Sequence, residues 1–287
     1  MASTKRTVLI TGCSEGGMGA ALAVAFQEAG LHVYATARDP TKMASLGRAG
    51  IETLTLDILS TDSIAACVAK LPSLDILVNN AGNSYSMPIS DLSLNDAKQL
   101  FNINVWAQLA VSQAFLPLLI KSKGMIVNQT SVVAATAAPF QSAYNASKAA
   151  ISMFSDCQRL ELEPFDVKVI DLKTGAVATN LIKNQKTQTP MSLPEGSIYE
   201  PAREAVESAM RNDKMADAGT PAIQWAKEVV GDLMRKSPPL VIWRGAHARM
   251  VRIGTFMPHG MMDSTIKKMT GLDVVEQKVR ADGRIPR

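Results

Sequence analysis

The chain is poor in the residues that staple or metallate a protein. Its 287 residues include three cysteines, Cys13, Cys67 and Cys157, and three histidines, His32, His247 and His259. The cysteines lie far apart and never form a Cys-x-x-Cys pair, which argues against a disulfide framework or a zinc site and for a reducing compartment. The histidines lack ligand spacing, so no metal is expected. No 18-residue stretch is free of polar interruption. Val105–Ile120 comes nearest but carries Gln108, Ser112, Gln113 and Pro117, and reads as a buried helix, not a membrane span. The opening MASTKRTVLITG lacks the apolar core of a secretory signal, so a cytoplasmic protein is expected. Charge of one sign is also scarce. The net +4 is mild, and no nucleic-acid partner is expected from it. Residues 241–287 hold nine Lys/Arg against four Asp/Glu and account for the whole excess.

Hydrophobic residues make up 47% and charged residues 20%, ordinary values for a globular protein of a size that buries a core unaided. Short apolar runs alternate with longer helical patterns, the signature of βαβ units and a parallel sheet. Strands are predicted at 7–10, 33–37, 52–56, 74–78, 125–129, 167–172 and 240–243. Helices are predicted at 20–29, 95–120, 143–163 and 222–234. No repeat or linker breaks the series, so residues 1–287 read as one α/β domain with a doubly wound parallel sheet. The stretch 183–200 is polar with two prolines and too long for an ordinary connection. It is expected to begin a lid reaching to about residue 220, followed by a C-terminal extension, 244–287.

Between the first strand and first helix stands Thr11-Gly12-Cys13-Ser14-Glu15-Gly16-Gly17-Met18-Gly19. Glycines let a backbone approach a pyrophosphate, and the helix N-terminus offers unpaired N–H groups. Gly12, Ser14, Gly17, Met18 and Gly19 are the candidate contacts. The same stretch matches Gly-x-Ser-x-Gly, which would make Ser14 a hydrolase nucleophile with His247 or His259 as base. That elbow needs strands and an oxyanion loop upstream, and only eleven residues precede Gly12. After the second strand comes Ala37-Arg38-Asp39. An Arg there suits the 2′-phosphate of NADP, where a carboxylate would suit NAD; Asp39 could pair with Arg38 or cap the next helix.

Tyr144 and Lys148 are four apart on a predicted helix and share a face. An ammonium near a phenol is expected to lower the phenol's pKa, suiting it to proton transfer. Ser131, at the end of the fifth strand, could polarise a carbonyl. In this order, with the Gly-rich turn, Asp57, Asn79-Asn80-Ala81-Gly82 and Asn104, the chain resembles the short-chain dehydrogenase/reductase family over nearly its whole length. The resemblance implies a seven-stranded Rossmann sheet and hydride transfer between NADP(H) and a carbonyl or alcohol. It implies Asp57 and Ile58 at the adenine, and Asn80, Ala81 and Gly82 beside the cofactor ribose. Asn104 would hold a water in a relay to Lys148, which would also bind the nicotinamide ribose, and Val177 and Thr179 would meet the carboxamide or phosphates. The stretches TGCSEGG, YATARDP and VIWRG are similar to those of fungal 1-acyldihydroxyacetone-phosphate reductases, a subfamily that includes reductases of secondary metabolism.

Two departures stand out. The turn carries one residue more than the family's TGxxxGxG, and Thr174-Gly175 replaces the usual Pro-Gly, which is expected to loosen that turn. The substrate is expected to be bulky and apolar, received by the Met-rich segment 238–263. Arg244, Arg249 and Arg252 would bind a phosphate head group or rest on an anionic membrane. The long helix 143–163 is a candidate subunit interface. A non-redox Rossmann protein using bound nucleotide as a scaffold is the alternative; that class often loses the tyrosine or the lysine, and both are present.

Overall fold

The computed structural model describes residues 5–179, 192–211 and 219–282. Its strands are β1 (Thr7–Thr11), β2 (His32–Ala37), β3 (Glu52–Thr55), β4 (Ile76–Asn79), β5 (Met125–Gln129), β6 (Lys168–Thr174), β7 (Val177–Ala178), β8 (Thr220–Pro221) and β9 (Val241–Arg244). The helices are α1 (Met18–Glu28), α2 (Ala44–Arg48), α3 (Thr61–Val68), α4 (Leu94–Phe101), α5 (Ala107–Ser122), α6 (Ser142–Leu162), α7 (Arg203–Met210), α8 (Ala222–Leu233), α9 (Ala248–Gly254), α10 (Asp263–Thr270) and α11 (Leu272–Ala281). Seven strands form one parallel sheet in the order β3-β2-β1-β4-β5-β6-β9. This is the doubly wound Rossmann arrangement read from the sequence, and the order reverses between β1 and β4, where such folds bind nucleotides. A small parallel pair, β7 with β8, was not foreseen.

Strand β1 shows why these residues form a central strand. All five are buried, so both faces must be apolar and the run reads as continuous rather than alternating. Val8 and Ile10 pack on one face with Phe26 of α1 and Trp225 and Val229 of α8. Leu9 joins Leu77, Val111, Phe115, Leu119 and Ile126 on the other. Residues 111, 115 and 119 lie four apart and make one stripe of α5. The continuous helical segment Leu94–Ser122 is long and apolar enough by composition to cross a membrane. In this fold its stripe lies against the sheet.

That long helix differs from its prediction in one functional respect. Between α4 and α5 the residues Asn102–Trp106 form a π-helical stretch. The wider turn rotates Asn104 inward to full burial; such π-turns are frequent at functional sites. A third apolar cluster joins Tyr85, Leu100 and Phe140 to Val206 and Met210 of α7 and Val275 of α11. It ties the C-terminal helices to the body beyond the C-terminal edge of the sheet.

Candidate active site

The turn after β1 explains its glycines by contact. Gly12 has φ +74°, and a Cβ there would lie 2.9 Å from Ala81 Cα. A Cβ on Gly19 would lie 2.5 Å from Gly12 O and 2.6 Å from Asn80 Nδ2. The ends of β1 and β4 are further locked by Thr11. Its Oγ1 accepts from the backbone N–H of Asn80 at 3.0 Å and of Ala81 at 2.9 Å. Gly17 is the N-cap of α1, and Gly19 makes the close contact. No side chain caps α1 and no acid sits in its first turn, which leaves its N–H groups available to a phosphate.

Around this turn lie the other expected cofactor positions. Ser14, Gly17, Met18, Arg38, Asp57, Ile58, Asn80, Ala81 and Gly82 all border one continuous cavity. Asp39 caps the next turn. Its carboxylate accepts from Thr41 N at 3.0 Å and Thr41 Oγ1 at 2.6 Å, capping the turn that begins at Pro40, and these bonds hold it below its ordinary pKa. The turn also puts Lys42, like Arg38, on the cavity wall. Sequence reasoning missed Lys42; the signal was a cation one turn past the strand end, directed back by Pro40.

Ser131, Tyr144, Lys148 and Asn104 are gathered at the C-terminal ends of β4 and β5. Tyr144 hydrogen-bonds with Ser131, while burial pushes its phenol above the ordinary value. This corrects the expected lowering by Lys148. The ammonium lies 5.9 Å from the Tyr144 ring centroid and donates to Gln129 O at 2.8 Å. Burial dominates the phenol because desolvation penalises its charged form. The same burial brings Lys148 down to about 8, opposed by the charge of Asp171. Asn104 spends its amide on the protein: Nδ2 donates to Asn83 O at 2.9 Å and Ser147 Oγ at 3.0 Å, and Oδ1 accepts from Asn83 N at 2.8 Å. Gly82 admits this packing, since a Cβ there would lie 3.2 Å from Asn104 Oδ1 and 3.6 Å from Lys148 Nζ.

At the end of β6 Thr174 is pinned, not loosened. Its Oγ1 accepts from Gln129 Nε2 at 2.8 Å. Gly175 N donates to Arg244 O at 2.8 Å, and a Cβ on Gly175 would come within 2.0 Å of Ala246 O. Val177 and Thr179 border the cavity here.

Residues 6–190 match the short chain dehydrogenase family. The chain belongs to this family. It is 79% identical to a short-chain dehydrogenase/reductase of Pestalotiopsis microspora, covering 98% of this chain and 99% of that one. It is 36% identical to the NADPH-dependent 1-acyldihydroxyacetone phosphate reductase of Schizosaccharomyces pombe, over 93% and 95% of the two chains. The crystal structure of a Streptomyces avermitilis short-chain dehydrogenase superposes with a TM-score of 0.75 at 26% identity, covering 96% and 99%. A Burkholderia cenocepacia short chain dehydrogenase shares the fold at a TM-score of 0.73 and 23% identity, covering 93% and 99%. For a short-chain dehydrogenase the turn at Ser14 is part of the nucleotide fold, so the hydrolase alternative falls.

The cavity of this short-chain dehydrogenase measures about 1600 Å³, beyond the usual ~300–1000 Å³ for one small ligand. Part of its wall comes from the expected lid and from the C-terminal extension. Ala205, Ser208 and Ala209 come from α7, and Met250, Ile266 and Met269 from the C-terminal helices. Residues 183–191 and 212–218 of the expected lid lie outside the described residues. Arg244 is not free for a phosphate: it pairs with the buried carboxylate of Asp232 at 2.7 Å.

Proposed function

We propose that this short-chain dehydrogenase uses NADPH to reduce a ketone or aldehyde of a bulky apolar, lipid-like or secondary-metabolite substrate. The observation that carries the reading is the Ser131–Tyr144–Lys148 group opening on a mostly apolar cavity large enough for cofactor and substrate together. NADP(H), when bound, supplies or accepts the hydride. Ser131 donates a hydrogen bond to the substrate oxygen and orients Tyr144, whose buried phenol stays protonated and delivers its proton as negative charge develops. Lys148, bound to Gln129 O, stabilises the resulting phenolate and holds the cofactor ribose. Asn104 positions Asn83 and Ser147 around it. The test is NADPH oxidation at 340 nm over a ketone series of increasing size: kcat/KM rises with apolar bulk, and a preference for small polar ketones would sink the reading.

The phosphate-bearing cofactor is favoured by two cations on the cavity, Arg38 and Lys42, with Asp39 occupied as a cap. The name of the fission-yeast relative, NADPH-dependent, supports the same choice. Arg38→Ala is expected to weaken NADPH by roughly 10–150-fold, the ~1.5–3 kcal/mol of a charge-assisted contact, and to leave NADH unchanged. Equal Kd losses for the two cofactors, measured by fluorescence titration, would contradict it.

The pH dependence follows from Lys148. It is charged below about 8 and neutral above, and its positive charge favours phenolate formation in the reduction. The reduction rate therefore falls as pH rises through about 8. A kcat profile with NADPH that stays flat from about pH 6 to 10 would rule this out.

The cavity rim also bears on location. Ile253, Phe256 and Met261 are exposed and alternate in sequence with residues that border the cavity; Arg249 and Arg252 are exposed as well. We propose peripheral contact of this rim with an anionic lipid surface. Flotation with anionic liposomes at low salt should carry the protein upward; protein left at the bottom of the gradient excludes the contact.

A further inference from the structure

We infer that His247 binds the substrate through a second oxygen, apart from the carbonyl that is reduced. The inference rests on the reductase reading above and names the substrate class more closely.

His247 has φ 64° and ψ −6°, the left-handed region that side chains other than glycine seldom adopt. Two of the other described non-glycine residues with positive φ, Lys123 and Asp166, end helical segments, where this conformation is ordinary. His247 instead begins one. Its backbone is imposed from outside. Ala246 exchanges hydrogen bonds with Ala176, donating at 3.0 Å and accepting at 3.1 Å. This bridge presses residues 245–248 onto Thr174-Gly175-Ala176, at the end of β6 beside β5. Strained backbone held by its surroundings is a recurrent property of ligand sites.

The side chain gives the second observation. From His247, the residues three, four and seven positions on are Met250, Val251 and Gly254, one face of α9. All four border the cavity. That face is apolar apart from the imidazole, the pattern of a site with one placed polar group. Nε2 of His247 is buried and has no hydrogen-bond partner among the described residues. A buried polar atom without a partner costs stability, which a substrate oxygen recovers on binding. Asn80, Ser84, Gln129 and Asn145 also carry buried oxygens without partners and border this cavity, but Asn80 belongs to the cofactor turn and the others adjoin Asn83, Thr130 and Tyr144, beside the reacting groups. His247 belongs to neither the cofactor turn nor the Ser131–Tyr144–Lys148 group.

The substrate is therefore a ketone on a bulky apolar skeleton that carries a further hydroxyl or carbonyl group. The probes are 2-acetylnaphthalene and its ring-hydroxylated isomers, assayed by NADPH oxidation. The unaltered protein should favour at least one hydroxylated isomer over the parent by about tenfold or more in kcat/KM. In His247→Gly, which suits the left-handed backbone, the ratio should fall to about one, with the NADPH Kd unchanged. His247→Asn, which also tolerates this conformation but reaches less far, should behave alike and guards against a folding effect. The proposal is overturned if no isomer is preferred, if the preference survives in both variants, or if NADPH binding weakens in step with it. NADPH binding without any ketone-dependent oxidation overturns the reductase reading itself, and this proposal with it.

Discussion

Tyr144→Phe is expected to lower kcat by about 10²–10⁴-fold, the usual worth of a positioned general acid. The exchange removes only the hydroxyl, leaving a ring of the same shape in the same place on α6. NADPH binding should therefore persist, because Lys148 keeps its hydrogen bond to Gln129 O and the glycine turn is untouched. The loss falls on kcat because the phenol's proton is needed only as charge develops on the substrate oxygen. The variant has no phenol to supply the proton at any pH, so it should show no compensating gain at high pH. The measurement is steady-state NADPH oxidation beside a cofactor titration. More than about a tenth of the original kcat remaining would remove Tyr144 from the acid role.

Asp171→Ala should unfold the protein far more easily, by about 3–5 kcal/mol. Asp171 and Lys173 stand two apart on β6 and share a face of the sheet. The carboxylate accepts from Lys173 Nζ at 2.6 Å, from Ser152 Oγ at 2.7 Å, and from Thr130 Oγ1. Lys173 also donates to Ser152 Oγ at 2.6 Å and lies 5.7 Å from the Trp243 ring centroid. Removing the acid leaves a buried ammonium uncompensated. Thermal unfolding should shift down by about 6–20 °C for a chain of this size. Asp171→Leu combined with Lys173→Met removes both charges and should recover much of the loss. A single variant that melts within about 2 °C of the parent would show that the pair is not structural. Because Asp171 raises the pKa of Lys148, Asp171→Asn, which keeps shape and some hydrogen bonding, should move the pH limb below about 8. Stability and catalysis thus share one carboxylate.

Some of this was legible because it is local. The apolar runs of β1, β4 and β5 sit between helices, and burial on both faces makes such runs continuous. The glycines of the first turn read correctly because a close approach leaves no room for a Cβ. Tyr144 and Lys148 are one helical turn apart, so their common face is a matter of period. The extra residue in the turn looked like a disturbance because spacing alone does not show where Gly19 meets Gly12.

The sequence by itself determined the parallel sheet, its first turn and the order of the chemical groups, since each follows from spacing within a few residues. Only the tertiary structure decided the rest. It set the protonation of Tyr144 and Lys148, because desolvation depends on everything packed around a group. It put Lys42 on the cavity with Arg38, turned Asn104 inward through the π-helical stretch, and paired Asp171 with Lys173 across one face of β6. It occupied Arg244 with Asp232 and placed His247 on the cavity, since the segments after β6 and β9 meet only when the strands lie side by side.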